Sequence, residues 1–267
     1  AAVAAITNIP ESTVKVVPME VGGGFGGRGV GYLDPVAAVL SKMTGQAVKI
    51  VMTRKEVFEA TGPAAGTHMR CKIGVDENGM ITAAQLYLAY EAGAFPGGSS
   101  DGGANVGLAP YRLDNMLVDG YDVVCNKPKT EAFRAPGHSQ AVYAVESVID
   151  ELAEKLGMDP MELRIRNAVQ EGDRAPNGVA YLRFGCKEVE EAMRAHPHYS
   201  APLEGANRGR GVAVGYRYNG GGSGSSATVN VNADGTVNVV TGSADLSGTR
   251  VTLAMQAAEV LGLAVED

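Results

Sequence analysis

Three glycine-containing stretches carry the residues best suited to hold an anionic or oxygen-rich group. The first reads Gly22-Gly23-Gly24-Phe25-Gly26-Gly27-Arg28-Gly29. Glycine at this density removes side chains and permits positive φ, so main-chain N–H groups approach a bound group closely. Phe25, the lone aromatic among them, must plug a core or lie against a ligand. The second runs Glu131-Ala132-Phe133-Arg134-Ala135-Pro136-Gly137-His138, and the third runs from Thr241 to Thr249 through Ser247 and Gly248. Each precedes a predicted helix, where free N–H groups and the dipole favour an anion. Arg134, beside the positive end of the longest helix, calls for a negative or oxygen-rich partner, which a ligand or a nearby carboxylate would equally supply. Ser247 and Thr249 equally suit a helix cap.

The elements that must position these loops follow from periodicity and punctuation. A short strand is expected at 13–17, and a helix at 36–43 entered through Asp34-Pro35 and closed by Gly45. Residues 47–52 read as a strand. Residues 70–75 and 80–88 flank Asp76-Glu77-Asn78-Gly79 as a hairpin. Val142, Val145, Val148, Ile149, Leu152 and Leu156 mark a helix over 140–156, ended by Gly157; a second starts at Asp159-Pro160 and runs to about residue 169. A second hairpin pairs 227–231 with 236–241, and a last helix spans 249–261. Hairpins alternating with helices give an α+β class with mixed and antiparallel sheets and helices packed on one face. The two hairpins hint at an internal repeat. Two modules are expected, 1–173 and 211–267, joined by a proline- and glycine-rich connection at 174–210 with one short helix near 186–194. The Gly/Ser run at 220–226 borders a site or crosses between strands.

Composition narrows the function. The 267 residues are 45% hydrophobic with 36 glycines, which supports a packed, loop-rich fold. A net charge of −7 argues against a nucleic-acid surface. No apolar run reaches the roughly 20 residues that span a bilayer, and the apolar start lacks the basic lead-in of a signal peptide; a cytoplasmic protein is expected. Cys71, Cys125 and Cys186 are scattered, which speaks against a disulfide framework, a structural zinc site and an iron–sulfur cluster held by this chain alone. His196 and His198 flank Pro197 and read as a surface turn. Gly22-x-Gly24-x-x-Gly27 matches the dinucleotide fingerprint, yet the next helix starts about seven residues late for it and no βαβ series follows.

Taken together, Gly-Gly-Gly-Phe-Gly-Gly-Arg, Phe-Arg-Ala-Pro-Gly and Gly-Ser-Ala-Asp-Leu-Ser-Gly-Thr-Arg, in this order, resemble the molybdenum-binding subunit of the xanthine dehydrogenase/aldehyde oxidase family of molybdenum hydroxylases. The stretch 146–173, from Glu-Ser-Val-Ile-Asp-Glu-Leu-Ala to Glu-Gly-Asp, is similar to the helix pair this family carries after its arginine loop. The resemblance implies a pterin–molybdenum cofactor, in simple or dinucleotide form, with Gly24, Phe25 and Gly26 at the cofactor and Gly26 near the oxo ligand. Arg134 would donate to the pterin and oxo side, and Ser247, Gly248 and Thr249 would meet the phosphate-bearing part. It further implies hydroxylation of an aldehyde or N-heterocycle, with electrons leaving through [2Fe-2S] clusters and FAD on partner subunits.

Three departures qualify it. The family's general-base glutamate lies beyond this sequence, so no catalytic residue is assigned here. Gly29 stands where some members carry an acidic residue. Ser247-Gly248-Thr249 replaces the frequent Gly-Gln-Gly. The competing expectations are a non-catalytic module, which requires Phe25 buried and Arg134 salt-bridged, and an NAD(P)-binding domain.

Overall fold

The computed structural model describes residues 1–17, 19–27, 29, 31–217 and 224–266. Pro18, Arg28, Val30 and the glycine-rich stretch 218–223 lie outside the described residues. Two compact units are present, Ala60–Tyr218 and a second built from Ala1–Glu59 with Asn219–Asp267.

In Ala60–Tyr218, β1 (Thr67–Val75) and β2 (Ile81–Gly93) form the expected hairpin. Asp76 makes its turn, its Oδ1 accepting the N–H groups of Asn78 at 2.9 Å and Met80 at 2.8 Å. From β2 the chain crosses through α4 (Ser100–Val106) to β3 (Met116–Val124), which lies parallel to β2, so the sheet is mixed with order β1-β2-β3. Alternate β2 residues Ala84, Leu86, Leu88 and Tyr90 turn inward beneath α5 (His138–Leu156), meeting Ala141, Val145, Ile149 and Ala153. This four-residue spacing keeps small and β-branched side chains on one face of α5. Full burial of a leucine such as Leu86 or Leu88 contributes about 1.5–3 kcal/mol.

The buried stripe of α5 also holds a charge. Glu146 accepts the Arg164 Nε–H at 2.9 Å, the Val214 N–H at 2.7 Å and the Tyr111 hydroxyl. Arg164, on α6 (Pro160–Asn167), is fully buried and also donates to Asp150 Oδ1 at 2.8 Å and the Pro160 carbonyl at 3.0 Å. Burial, then the Glu146 carboxylate, push the Tyr111 phenol well above its usual range, so it remains a donor. Asn167 fastens α6 to the hairpin, donating to the Gly79 carbonyl at 2.7 Å and accepting the Ile81 N–H at 2.8 Å. Beyond α6 come α7 (Cys186–Ala195) and the single turn α8 (Pro197–Ser200).

The other unit contains α1 (Ala2–Thr7), a 3-10 turn (Glu11–Thr13), α2 (Asp34–Thr44), α3 (Arg54–Ala60, ending at the unit boundary), the hairpin β4 (Ala227–Val231) and β5 (Val237–Thr241), and α9 (Thr249–Leu261). Among its described residues only Ala4, Thr7, Pro35 and Ala258 are buried in helices. Leu40, Phe58, Val251 and Met255 remain exposed.

The α+β class with mixed and antiparallel sheets is the observed one. The strand expected at 13–17 is absent: Thr13 closes the 3-10 turn, its N–H and hydroxyl both donating to the Pro10 carbonyl. Residues 47–52 alternate in burial as a strand would, but among the described residues they pair with no other strand. Helices α3 and α4 and strand β3 have no counterpart in the sequence reading. Ser-Ser-Asp-Gly-Gly at 99–103 has turn composition, and packing overrides it: a Cβ on Gly103 would stand 2.2 Å from the Tyr90 hydroxyl. A βαβ unit exists, but at β2-α4-β3, far along the chain from the Gly22–Gly27 motif.

Replacing Arg164 by Met leaves Glu146 buried without its countercharge and is expected to cost about 3–5 kcal/mol in denaturant unfolding, most of it recovered when Glu146 is changed to Leu as well. Gly137, at φ +78°, has the Ser99 carbonyl oxygen 2.1 Å from where a Cβ would stand. Gly137→Ala is therefore expected to destabilise by more than about 1 kcal/mol in the same measurement.

Candidate functional site

Two of the three loops are joined at their stems. Val21 forms a parallel bridge with Leu246; its N–H donates to the Asp245 carbonyl at 3.0 Å, and its carbonyl accepts the Ser247 N–H at 3.1 Å. The Ser247 hydroxyl adds a bond to the Gly22 carbonyl at 3.2 Å. Past this junction the first loop tightens through Gly27 N–H to Gly24 carbonyl at 2.8 Å and Gly29 N–H to Gly26 carbonyl at 3.0 Å.

Both loops hold left-handed residues in succession, Phe25 (φ 49°) with Gly26 (φ 97°) and Ser247 (φ 57°) with Gly248 (φ 83°). Positive φ at a phenylalanine is uncommon and marks a constrained loop. Two successive left-handed residues reverse the chain tightly, which sets each loop's tip apart from the joined stem. Phe25 is 63% exposed, its ring folded over Gly23. It plugs no core. At Gly22 a Cβ would meet nothing within 4 Å and φ is ordinary, so neither packing nor conformation explains glycine there. Open space next to main-chain donors is what a closely held ligand requires.

The cap reading of Ser247 and Thr249 fails. Gly248 is the N-cap of α9, and no side chain caps from that position. Thr249 instead donates its hydroxyl to the Leu246 carbonyl at 2.7 Å. The side chain that takes a first-turn N–H is Asp245, whose Oδ1 accepts from Arg250 at 3.2 Å. Its distance from the helix start hid this role.

Arg134 belongs to the other unit, just before α5. Ala135 (φ 56°) and Gly137 (φ 78°) bend its loop, and the helix again begins without a side-chain cap. The loop is braced from below by the Tyr90 hydroxyl, which donates to the Gly137 carbonyl at 2.6 Å. Helix α4 presses against it so closely that a Cβ on Gly102 would stand 2.3 Å from the Pro136 oxygen. Asp122 of β3 holds α4 in turn, accepting from the Gly98 N–H at 2.7 Å and the Ser100 N–H at 3.2 Å. Arg134 itself is exposed, and among the described residues no ion pair involves it. Both conditions of the non-catalytic reading, a buried Phe25 and a salt-bridged Arg134, are therefore unmet. Tyr90, Asp122 and the small residues of α4 are the positioning residues that sequence reasoning missed; inward alternation along β2 was the available signal for Tyr90. Among the described residues no cluster of His, Cys, Asp or Glu is arranged to hold a metal ion.

Comparison with known proteins places the chain in a family. Two molybdopterin cofactor-binding domain models match, one over residues 1–168 and one over 186–267. The xanthine dehydrogenase molybdenum-binding subunit of Escherichia coli O157:H7 is 32% identical over 97% of the chain and 37% of its own length. The nicotinate dehydrogenase large molybdopterin subunit of Eubacterium barkeri is 34% identical over 72% of the chain and 46% of its own. Among solved structures, quinoline 2-oxidoreductase from Pseudomonas putida 86 superposes with a TM-score of 0.80 at 26% identity, covering 99% of the chain and 38% of that protein. Aldehyde oxidoreductase from Desulfovibrio gigas gives 0.75 at 29% identity, over 92% and 29%. The chain thus spans less than half the length of these relatives. With two cofactor-binding models covering nearly all of it, the chain belongs to the molybdopterin cofactor-binding family, in the line of xanthine dehydrogenase and aldehyde oxidoreductase molybdenum subunits.

Proposed function

We propose that this chain supplies part of the molybdopterin site of a molybdenum hydroxylase that oxidatively hydroxylates an aldehyde or an N-heterocycle. The observation that carries the reading is the pair of stem-linked loops, glycine-rich and open at Gly22. The donor set suits a pterin with a phosphate tail: main-chain N–H groups and neutral hydroxyls, with a guanidinium available from Arg134. Gly24, Phe25 and Gly26 would lie against the cofactor, the exposed Phe25 ring excluding water from that side. Ser247, Gly248 and Thr249 would receive the phosphate at the uncapped start of α9, where the dipole favours negative charge. Arg134 would donate hydrogen bonds to the cofactor's oxygen-rich part. The cofactor, when bound, supplies a molybdenum centre that accepts two electrons from the substrate.

No carboxylate of the chain is assigned as general base. The modules 1–173 and 211–267, with 174–210 between them, are proposed as successive cofactor-binding pieces. Partner subunits carrying [2Fe-2S] clusters and FAD would take the electrons onward, since three scattered cysteines do not furnish the four thiolates of a cluster. Among the described residues no helix is long and apolar enough to cross a membrane. A cytoplasmic site of action fits the three unpaired cysteines, and nucleic acid is not an expected partner at a net charge of −7.

Ser247→Asp separates the cofactor role from a purely structural one. The carboxylate repels an anionic ligand but also gives up the hydroxyl bond to the Gly22 carbonyl, so Ser247→Ala, which loses the same bond without adding charge, is the reference for both stability and content. Pterin and molybdenum content of the full-length enzyme, purified with its partners, should fall about tenfold; unchanged content overturns the assignment. Residues 1–267 alone are expected to show no turnover of aldehyde or heterocycle, because an absent general base by itself removes about 10²–10⁴ in rate.

A further inference from the structure

Apart from the cofactor loops, Ala60–Tyr218 holds a groove of about 390 Å³ between α7 and the segment 212–216. Phe184, Val189, Met193, Val212 and Tyr216 wall it, Met161 lies at its base, and Glu190 enters from α7. Glu190 is only 2% exposed. Its Oε1 accepts the Cys186 thiol at 3.3 Å, while its Oε2 has no partner among the described residues. A buried carboxyl oxygen without a donor forfeits its hydration with no return. The nearest buried cation, Arg164, is already committed to Glu146, Asp150 and the Pro160 carbonyl. The groove thus joins an uncompensated acid to aromatic and aliphatic walls.

We propose that this groove binds a small organic ammonium ion, its apolar body between Phe184, Val189 and Met193 and its charged nitrogen donating to Glu190 Oε2. Charge complementarity selects this occupant: an anion would face Glu190 with Glu146, Glu188 and Glu191 nearby, and a neutral alcohol would leave the acid without a countercharge. Aromatic walls add cation–π attraction for the same class. Oε2 is covered in the structure, so entry displaces a lining side chain, and the exposed, unbranched Met193 is the one with rotamers to spare.

Burial, followed by the partly offsetting Cys186 hydrogen bond and the nearby Glu146, Arg164 and Glu191 charges, leaves the Glu190 carboxyl at about 7. The other titratable groups packed here do not compete in that range, since burial pushes the Cys186 thiol up to about 12 and Tyr111 stays protonated. Glu190 therefore gains charge as pH rises, and ammonium affinity should rise from pH 6 to pH 8.

Isothermal titration of the protein with benzylamine, benzyl alcohol and benzoate tests this. Benzylamine is expected to saturate one site, more tightly at pH 8 than at pH 6, with the alcohol and the carboxylate at least tenfold weaker. Glu190→Gln should weaken benzylamine about tenfold and remove the pH dependence. Val189→Trp, at the exposed rim, should block the groove with Glu190 intact, which locates the site independently of how the Glu190 variant folds. No saturable benzylamine binding, equal binding of the alcohol, or binding unchanged by Val189→Trp overturns the proposal.

Discussion

A carboxylate taken out of water must be surrounded by donors, and Glu146 is: Arg164, Tyr111 and the Val214 N–H each supply one. Those donors come from α6, from the loop after α4 and from the segment that leaves the unit. One side chain on α5 thereby fixes three otherwise separate stretches, and α5 is the helix whose start carries the arginine loop. Such a pair need not add net stability over well-packed hydrophobic residues of equal volume. What it imposes is geometry, because a buried charge tolerates few alternative arrangements of its partners. Placement of Arg134 is inherited from that constraint through the length of α5.

The two units show how two kinds of glycine differ. Gly102, Gly103 and Gly137 are glycines because a neighbour already occupies the Cβ position. Gly22 is glycine with empty space beside it. The first kind records packing inside the chain, and the second is what the proposed function reads as room left for a ligand. Both occur within motifs that look alike on paper, and only the Cβ environment tells them apart.

Legibility in the sequence tracked how local the determining physics was. The hairpin at Asp76–Gly79, the caps at Gly45, Gly157 and Asp159 and the helix α9 were readable because each is set by a few adjacent residues. Helix α4 was not, since two glycines depress its intrinsic propensity and contacts distant in sequence hold it, among them Tyr90, Asp122, Leu86 and the arginine loop. Residues 47–52 erred the other way, with β-forming side chains and no partner strand among the described residues. In the site, the three loops were recognisable by composition, while their bracing was hidden: Asp245 acts on Arg250 from five residues away, and Tyr90 acts on Gly137 across 47. The stripe on α5 was read with Val142 where Ala141 faces inward, and no periodicity argument anticipates a glutamate in that stripe.

The uneven packing of the two units has a genetic consequence. Ala60–Tyr218 carries nearly all the fully buried side chains, whereas the unit bearing the joined glycine and serine loops buries few. Damaging alleles should therefore segregate by position. Changes in the densely packed portion would lower protein abundance through turnover of the unfolded chain. Changes at exposed loop residues such as Phe25 and Ser247 would leave antigen levels normal and, on the proposed function, yield a cofactor-poor polypeptide, so an immunoblot read beside a molybdenum measurement would sort the two kinds of allele.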